Sequence, residues 1–416
     1  MTGNFQDVSK DFSASIPIRC LTPPGKSESI RFYDTSSIDA GGRHLAVTRY
    51  SDDSHLPRPG EPALVIVRDL ESGAEAYRES TAAWDSQLGA QAQWHPFREE
   101  VYFNVMDGSA FPHAVSINLD TGKRRHYPWT VYMLSPCGRY AVSPDLRKIG
   151  STQAGYGVVV EDPHFPGGSG KAGDDGVTII DLEKGTCRLA VSIGDLVDRA
   201  GIEPPGSGSF HVFHVKWSPV CDRIMVVLRW VSDEGNSPRR WVLACDMDGS
   251  TVHCLVSDSL WQQGGHHPNW YPDGRHIIMN LRPDPAGPLR FCKIADADRP
   301  QVAPLTRLTG SGHPTIHSSG KWLLTDAYLH EKMAPEGCSP LRLVDLRSGK
   351  ERTLAEVPSK PAFPGPKQEW RVDLHPSWCS DWRHITFNGW HEGRRAVFLA
   401  DLGSVLDASI DFADDG

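Results

Sequence analysis

An all-β fold of seven similar sheets is predicted by three observations. A turn of the form Asp-Leu-x-x-Gly recurs after short β-branched runs. A second motif, apolar-x-Pro/Ser-x-Gly, precedes each of those runs. The 416 residues also include 39 glycines and 32 prolines, scattered at short intervals. Short runs that alternate apolar and polar residues and end at Gly or Pro are strands; helices of a solenoid would need longer stretches with a 3.6-residue period.

The turn motif places its anchors at Asp69, Asn118, Asp181, Asp246, Asp296, Asp345 and Asp401, in contexts such as Val65-Ile-Val-Arg-Asp69-Leu-Glu-Ser-Gly73 and Arg342-Leu-Val-Asp345-Leu-Arg-Ser-Gly349. The hairpin motif gives the same count: Ile38-Asp-Ala-Gly-Gly42, Trp94-His-Pro-Phe-Arg98, Leu134-Ser-Pro-Cys-Gly138, Trp217-Ser-Pro-Val-Cys221, Trp270-Tyr-Pro-Asp-Gly274, Ile316-His-Ser-Ser-Gly320 and Trp378-Cys-Ser-Asp-Trp382. Two independent motifs therefore agree on seven units, each of strand, hairpin, strand, loop, strand, turn and outer strand. That is a four-stranded blade, and seven arranged radially make a β-propeller, which leaves few exposed sheet edges. The last unit has only three strands, at about 372–379, 383–388 and 395–401, so the N-terminal Ser15-Ile-Pro-Ile-Arg-Cys-Leu21 is expected to supply the fourth and close the ring. The expectation is one domain over 1–416, with insertions at 144–175 and 186–210, both too long for simple hairpins.

Composition bounds the function. Asp and Glu number 52 against 43 Lys and Arg, a net charge of −9, so no basic excess draws the chain onto nucleic acid. No apolar run is long enough to span a bilayer, and no secretion signal is visible, so the expected compartment is the cytoplasm. The nine cysteines include no Cys-x-x-Cys pair and read as mostly buried, reduced thiols. The sequence is silent on oligomeric state.

Superposing the units on the hairpin anchor gives the sharpest signal. Three residues before it stand His214, His267, His313 and His375 in units four to seven, and Thr35, Gln91 and Val131 in units one to three. The innermost strand of a blade lines the central channel, so equivalent residues are expected to converge there. Four imidazoles make a candidate site for one divalent metal ion, zinc or manganese. A metal-free polar or catalytic cluster is the alternative. Asp373, two residues before His375 on the same strand face, is placed to orient an imidazole or bind directly. Arg229 and Arg147 end apolar runs near blade loops, where a guanidinium can clamp a carboxylate. Tyr156 stands between Gly155 and Gly157, and His211 lies three residues before His214. Gln91, His211 and Arg147 are candidates for substrate binding. Gly167-Gly-Ser-Gly-Lys171 lacks the following Ser/Thr of a P-loop, and no Gly-x-Ser-x-Gly elbow occurs.

The strings Gly265-His-His-Pro-Asn-Trp270, Gly312-His-Pro-Thr-Ile-His-Ser-Ser-Gly320 and Arg371-Val-Asp-Leu-His-Pro-Ser-Trp378 resemble the oligogalacturonate lyase family of seven-bladed propellers. Ala154-Gly-Tyr-Gly157, Asp174-Asp-Gly176 and Val226-Val-Leu-Arg-Trp230 are similar to segments of ulvan lyase-type propellers. The resemblance implies a carbon–oxygen lyase that breaks uronate-containing oligosaccharides by β-elimination. It implies metal positions at His313 and His375, a base at His267, and, on the ulvan pattern, Tyr156 with His113 as catalytic partners. Where the pectin-type motif carries Gln and a further His, this chain has Trp370-Arg371-Val-Asp373. The expected partner is a small acidic oligosaccharide, which a local patch of Arg229, Arg239, Arg240 and Lys171 would have to attract against the net charge. The alternatives are a propeller enzyme acting on another small molecule, as hydrolase, isomerase or tailoring enzyme, and a non-catalytic binding propeller. Whether His267 is ligand or base stays open, since both need a neutral imidazole.

Overall fold

A computed structural model of the chain describes residues 5–106, 111–161, 172–235, 238–359 and 371–407. Each Asp-cornered turn ends a third strand where the sequence places it. At Asp69, for example, a carboxylate oxygen accepts the backbone N–H groups of Glu71 and Ser72, while the Gly73 N–H reaches the Asp69 carbonyl at 2.8 Å. Third strands end at Asp69, Asn118, Asp181, Asp246, Asp345 and Asp401, and in the fifth unit at Ala295, one residue before the anchor.

Seven antiparallel sheets follow in chain order and form a seven-bladed β-propeller. The fourth blade is the most regular, with strands Gly208–Trp217, Arg223–Ser232, Arg239–Asp246 and Val252–Val256. Its second strand is buried on both faces, because blades pack on either side of it. The expected ring closure is present. Ile18–Cys20 pairs antiparallel with Arg394–Asp401, Ile18 opposite Ala400, and Gln6–Asp7 adds a fifth strand that the repeats do not announce. Ile18 is fully buried beneath this seam. Ile18→Ala is therefore expected to destabilise the protein by about 2–5 kcal/mol, read as a lower midpoint in chemical denaturation.

Three expectations need correcting. The supposed insertion at 186–210 begins as the outer strand of the third blade, Thr186–Ser192, and only then passes through the short helix Ile193–Arg199. A Ser192 cap, plus buried Ile193, Leu196 and Val197, makes that segment helical. The cysteines are all free, but only Cys20, Cys245, Cys292 and Cys379 are buried, while Cys137 and Cys187 are exposed. The third correction concerns the first blade. Its innermost strand is broken: Ser27–Ser29 pairs with the Tyr50 end of His44–Tyr50, and Ile38 bridges Leu45. Residues 30–37 between these contacts turn into the channel and bury Phe32 and Tyr33 there. A buried ionic knot holds this plug: Asp34 pairs with Arg31 Nη1 at 2.5 Å and with Lys216 Nζ at 2.9 Å.

The part of the insertion at 162–171, including Lys171, lies outside the described residues. Among the described residues no helix is long and apolar enough to cross a membrane.

Candidate functional site

The channel ends of the inner strands are irregular, and that irregularity aims the histidines. The register slips between Val212 and His214 and between His266 and Asn269. His267, His375 and Gln91 adopt left-handed backbone, with φ of 57°, 46° and 60°, which side-chain-bearing residues occupy at a cost. The surrounding blades must enforce these conformations, and such enforced strain clusters at functional sites.

Three of the four aligned histidines stand in ring contact. The His267 and His313 centroids are 3.9 Å apart and those of His313 and His375 are 4.4 Å apart. Phe32 of the plug touches His214, His313 and His375, and Tyr33 touches His267, His313 and His375. Donor atoms of His313, Asp373 and His375, all buried, lie within 4.8 Å of one another. His313 Nδ1 is held by Asp326 at 2.9 and 3.0 Å, which turns Nε2 inward; that nitrogen and both nitrogens of His375 are buried without a hydrogen-bond partner. Buried imidazole nitrogens without partners beside a carboxylate form a donor set that fits a divalent ion, and two imidazoles with a carboxylate suit zinc or manganese. Arg371 Nε also binds both Asp373 oxygens, at 3.0 and 2.7 Å, and orients that carboxylate.

His267 and His214 stand differently. The Gly312 carbonyl can only accept, so His267 Nδ1, 2.8 Å from it, carries the proton, and the basic Nε2 faces the Tyr328 hydroxyl at 3.2 Å. Burial drives His267 well below the ordinary histidine range, so its imidazole is neutral. His214 Nδ1 meets the Tyr132 hydroxyl.

A pocket opens over this cluster. Tyr156, His214, Arg229 and His267 line it, joined by Tyr33, Tyr328, Arg240 and Arg371. Burial raises Tyr156 to about 12 and pushes Tyr328 well above its ordinary value, so both phenols keep their protons. Arg229 lies over the Phe213 ring at 3.3 Å and donates to Gln153 Oε1 at 2.8 Å. No carboxylate among the described residues pairs with it. Burial, with Arg240 nearby, lowers it to about 9, so it stays charged at neutral pH. A buried guanidinium without a counterion is costly unless an anion arrives. Replacing it by an isosteric apolar side chain, Arg229→Met, is expected to leave the thermal midpoint unchanged or higher. The same change should raise KM for an anionic substrate by about 10²-fold or more. A fall in thermal midpoint with KM unchanged would assign Arg229 to the scaffold.

The remaining sequence candidates are placed elsewhere. His113 begins the third strand of the second blade, His113–Asn118, and its Nε2 is 3.1 Å from His126 Nδ1, away from the pocket. His211 pairs with Ser209 Oγ at 2.8 Å. Asp145 caps the helix Leu146–Thr152 by accepting the Arg147 backbone N–H, and the Arg147 guanidinium pairs with that carboxylate at 2.6 Å and lies over the Phe111 ring. Gln91 accepts from Arg31 Nε at 2.9 Å and so braces the plug. Arg239 pairs with Asp258 at 2.8 Å. The sequence reading missed Tyr328, which stands on the loop between Trp322–Thr325 and Cys338–Asp345, where no repeat carries a signal; it also missed the plug.

No family model and no curated protein matches the sequence. Among solved structures, an oligogalacturonate lyase in complex with manganese is 15% identical, with a TM-score of 0.63 over 95% of either chain. The oligogalacturonate lyase of Vibrio parahaemolyticus is 11% identical, with a TM-score of 0.65 over 96% of either chain. The propeller domain of the Trilobed protease from Pyrococcus furiosus is 10% identical, with a TM-score of 0.50 over 93% of this chain and 94% of that one. At these identities the likeness is one of fold, and the resemblance read from the channel motifs extends to whole-chain architecture.

Proposed function

We propose that this propeller is a metal-dependent lyase that cleaves uronate-containing oligosaccharides by β-elimination. The reading rests above all on one juxtaposition: an uncompensated Arg229 guanidinium lines a pocket together with His267, and the His267 ring stands 3.9 Å from that of His313, which with His375 keeps bare buried nitrogens. The fold shared with two oligogalacturonate lyases supports it.

In this reading Arg229 and Arg240 draw the substrate carboxylates into the pocket and hold the sugar over His267. His267, neutral and fixed with its proton on Nδ1, takes the C5 proton on Nε2. Tyr328, still a phenol beside that nitrogen, gives its proton to the departing C4 oxygen, and Tyr156 offers a second protonated hydroxyl on the same wall. His313, Asp373 and His375 would hold a divalent ion, which when bound supplies Lewis-acid charge to a substrate carboxylate. Phe32 and Tyr33 of the plug pack against the channel histidines and hold their rings in place.

The test is ultraviolet absorbance of the 4,5-unsaturated product when protein loaded with zinc or manganese is given a panel of uronate oligosaccharides. Product formation that stops on chelation is the expected result. Absence of product from every uronate tried would overturn the lyase reading, and tight binding without elimination would point to another anionic small molecule.

A further inference from the structure

At the ends of the inner strands away from the pocket, the hairpins touch from blade to blade. His95 Nε2 of the second blade meets the Gly138 carbonyl of the third at 3.0 Å. The Tyr271 hydroxyl of the fifth donates to the Gly320 carbonyl of the sixth at 3.2 Å. His317 Nε2 of the sixth meets the Trp382 carbonyl of the seventh at 2.8 Å. Between the third and fourth blades the same junction is made by sulfur. The Cys137 N–H donates to Cys221 Sγ at 2.9 Å, and the two thiols are hydrogen-bonded to each other.

We propose that Cys137 and Cys221 form a peroxide-reactive thiol pair, in which Cys137 is the attacking sulfur and Cys221 the resolving one, linking the third and fourth blades as a reversible disulfide. Cys137 is exposed to solvent, whereas Cys221 is half-buried. Partial desolvation opposes ionisation of Cys137, but hydrogen bonds from the Ser135 hydroxyl, the Arg139 N–H and Cys221 outweigh it and hold the thiol below its ordinary value. Burial and the neighbouring Cys137 raise Cys221 to about 12, so it remains a thiol and a donor. An accessible sulfur with thiolate character beside a second thiol is the arrangement of redox-sensing cysteines. In the first step the Cys137 thiolate attacks a hydroperoxide oxygen: the O–O bond breaks, S–OH forms, and the peroxide leaves as water or alcohol after taking a proton. In the second, Cys221 attacks the sulfenic sulfur, forming S–S and releasing water. The two thiols lose two electrons and the peroxide gains them.

Reduced protein would be treated with one equivalent of hydrogen peroxide, its remaining thiols blocked, and its digest mapped by mass spectrometry. The expected product is a peptide linked through Cys137 and Cys221. Cys137 should be consumed on the order of tenfold faster than Cys187, an exposed thiol whose ionisation is disfavoured. In Cys221→Ser a dimedone adduct should accumulate on Cys137, while Cys137→Ser should give none on Cys221. Consumption of Cys137 no faster than Cys187, or absence of the linked peptide with both thiols still free, would overturn the pair.

Discussion

His267→Ala is expected to lower kcat for uronate elimination by about 10²–10⁴-fold, the contribution of a positioned general base, while the metal content of the protein stays at the wild-type level. The geometry separates these two readouts. Both ring nitrogens of His267 already have partners, Gly312 O and the Tyr328 hydroxyl, whereas the bare nitrogens belong to His313 and His375. The pH profile gives a further check. A base must be neutral to act, and burial moves His267 well below the ordinary value of 6.5. The acid limb of kcat/KM is therefore expected below the usual imidazole range, with activity retained as pH falls through 6.5. An acid limb centred on the ordinary histidine value would place the base elsewhere, and loss of metal in His267→Ala would make it a ligand.

The second large effect concerns the metal. Protein purified without chelator or a polyhistidine tag is expected to carry close to one divalent ion per chain by elemental mass spectrometry. The double variant His313→Ala/His375→Ala should carry none and lose elimination activity beyond detection. Asp326→Asn should cost about 10–100-fold in metal affinity, because it removes the carboxylate that aims His313 Nε2 inward without touching the ligand atoms. Equal metal content in wild type and double variant would sink the site. A metal-free wild type that takes up no ion on reconstitution would leave the histidines as a polar cluster.

The propeller was legible because its signals are local and repeated. An Asp carboxylate capping its own turn, as at Asp69, needs only the next few residues, so seven copies announce seven third strands whatever the packing between them. Closure by residues 15–21 was legible as an arithmetic gap in the last blade. The aligned histidines were legible for the same reason, and so was Asp373 by its two-residue spacing from His375. The extra strand at Gln6–Asp7 was not read, since no motif announces it, and the outer strand Thr186–Ser192, which follows the Asp181 turn as the repeat requires, was assigned to an insertion instead.

What the chain's pattern by itself determined is the fold class, the blade count, and the candidacy of His214, His267, His313 and His375 as channel residues. Which of these imidazoles keep bare nitrogens is a different kind of fact. That depends on Asp326, Gly312, Tyr328 and Tyr132, contributed by other strands and loops. It depends also on a plug at 30–37 that departs from the repeat, and on left-handed backbone at His267 and His375 that only the surrounding blades can enforce. Spacing along a strand sets which face a side chain takes, but a hydrogen-bond partner some tens or hundreds of residues away is chosen by tertiary packing. The chemistry of each nitrogen was therefore decided only when the seven blades came together.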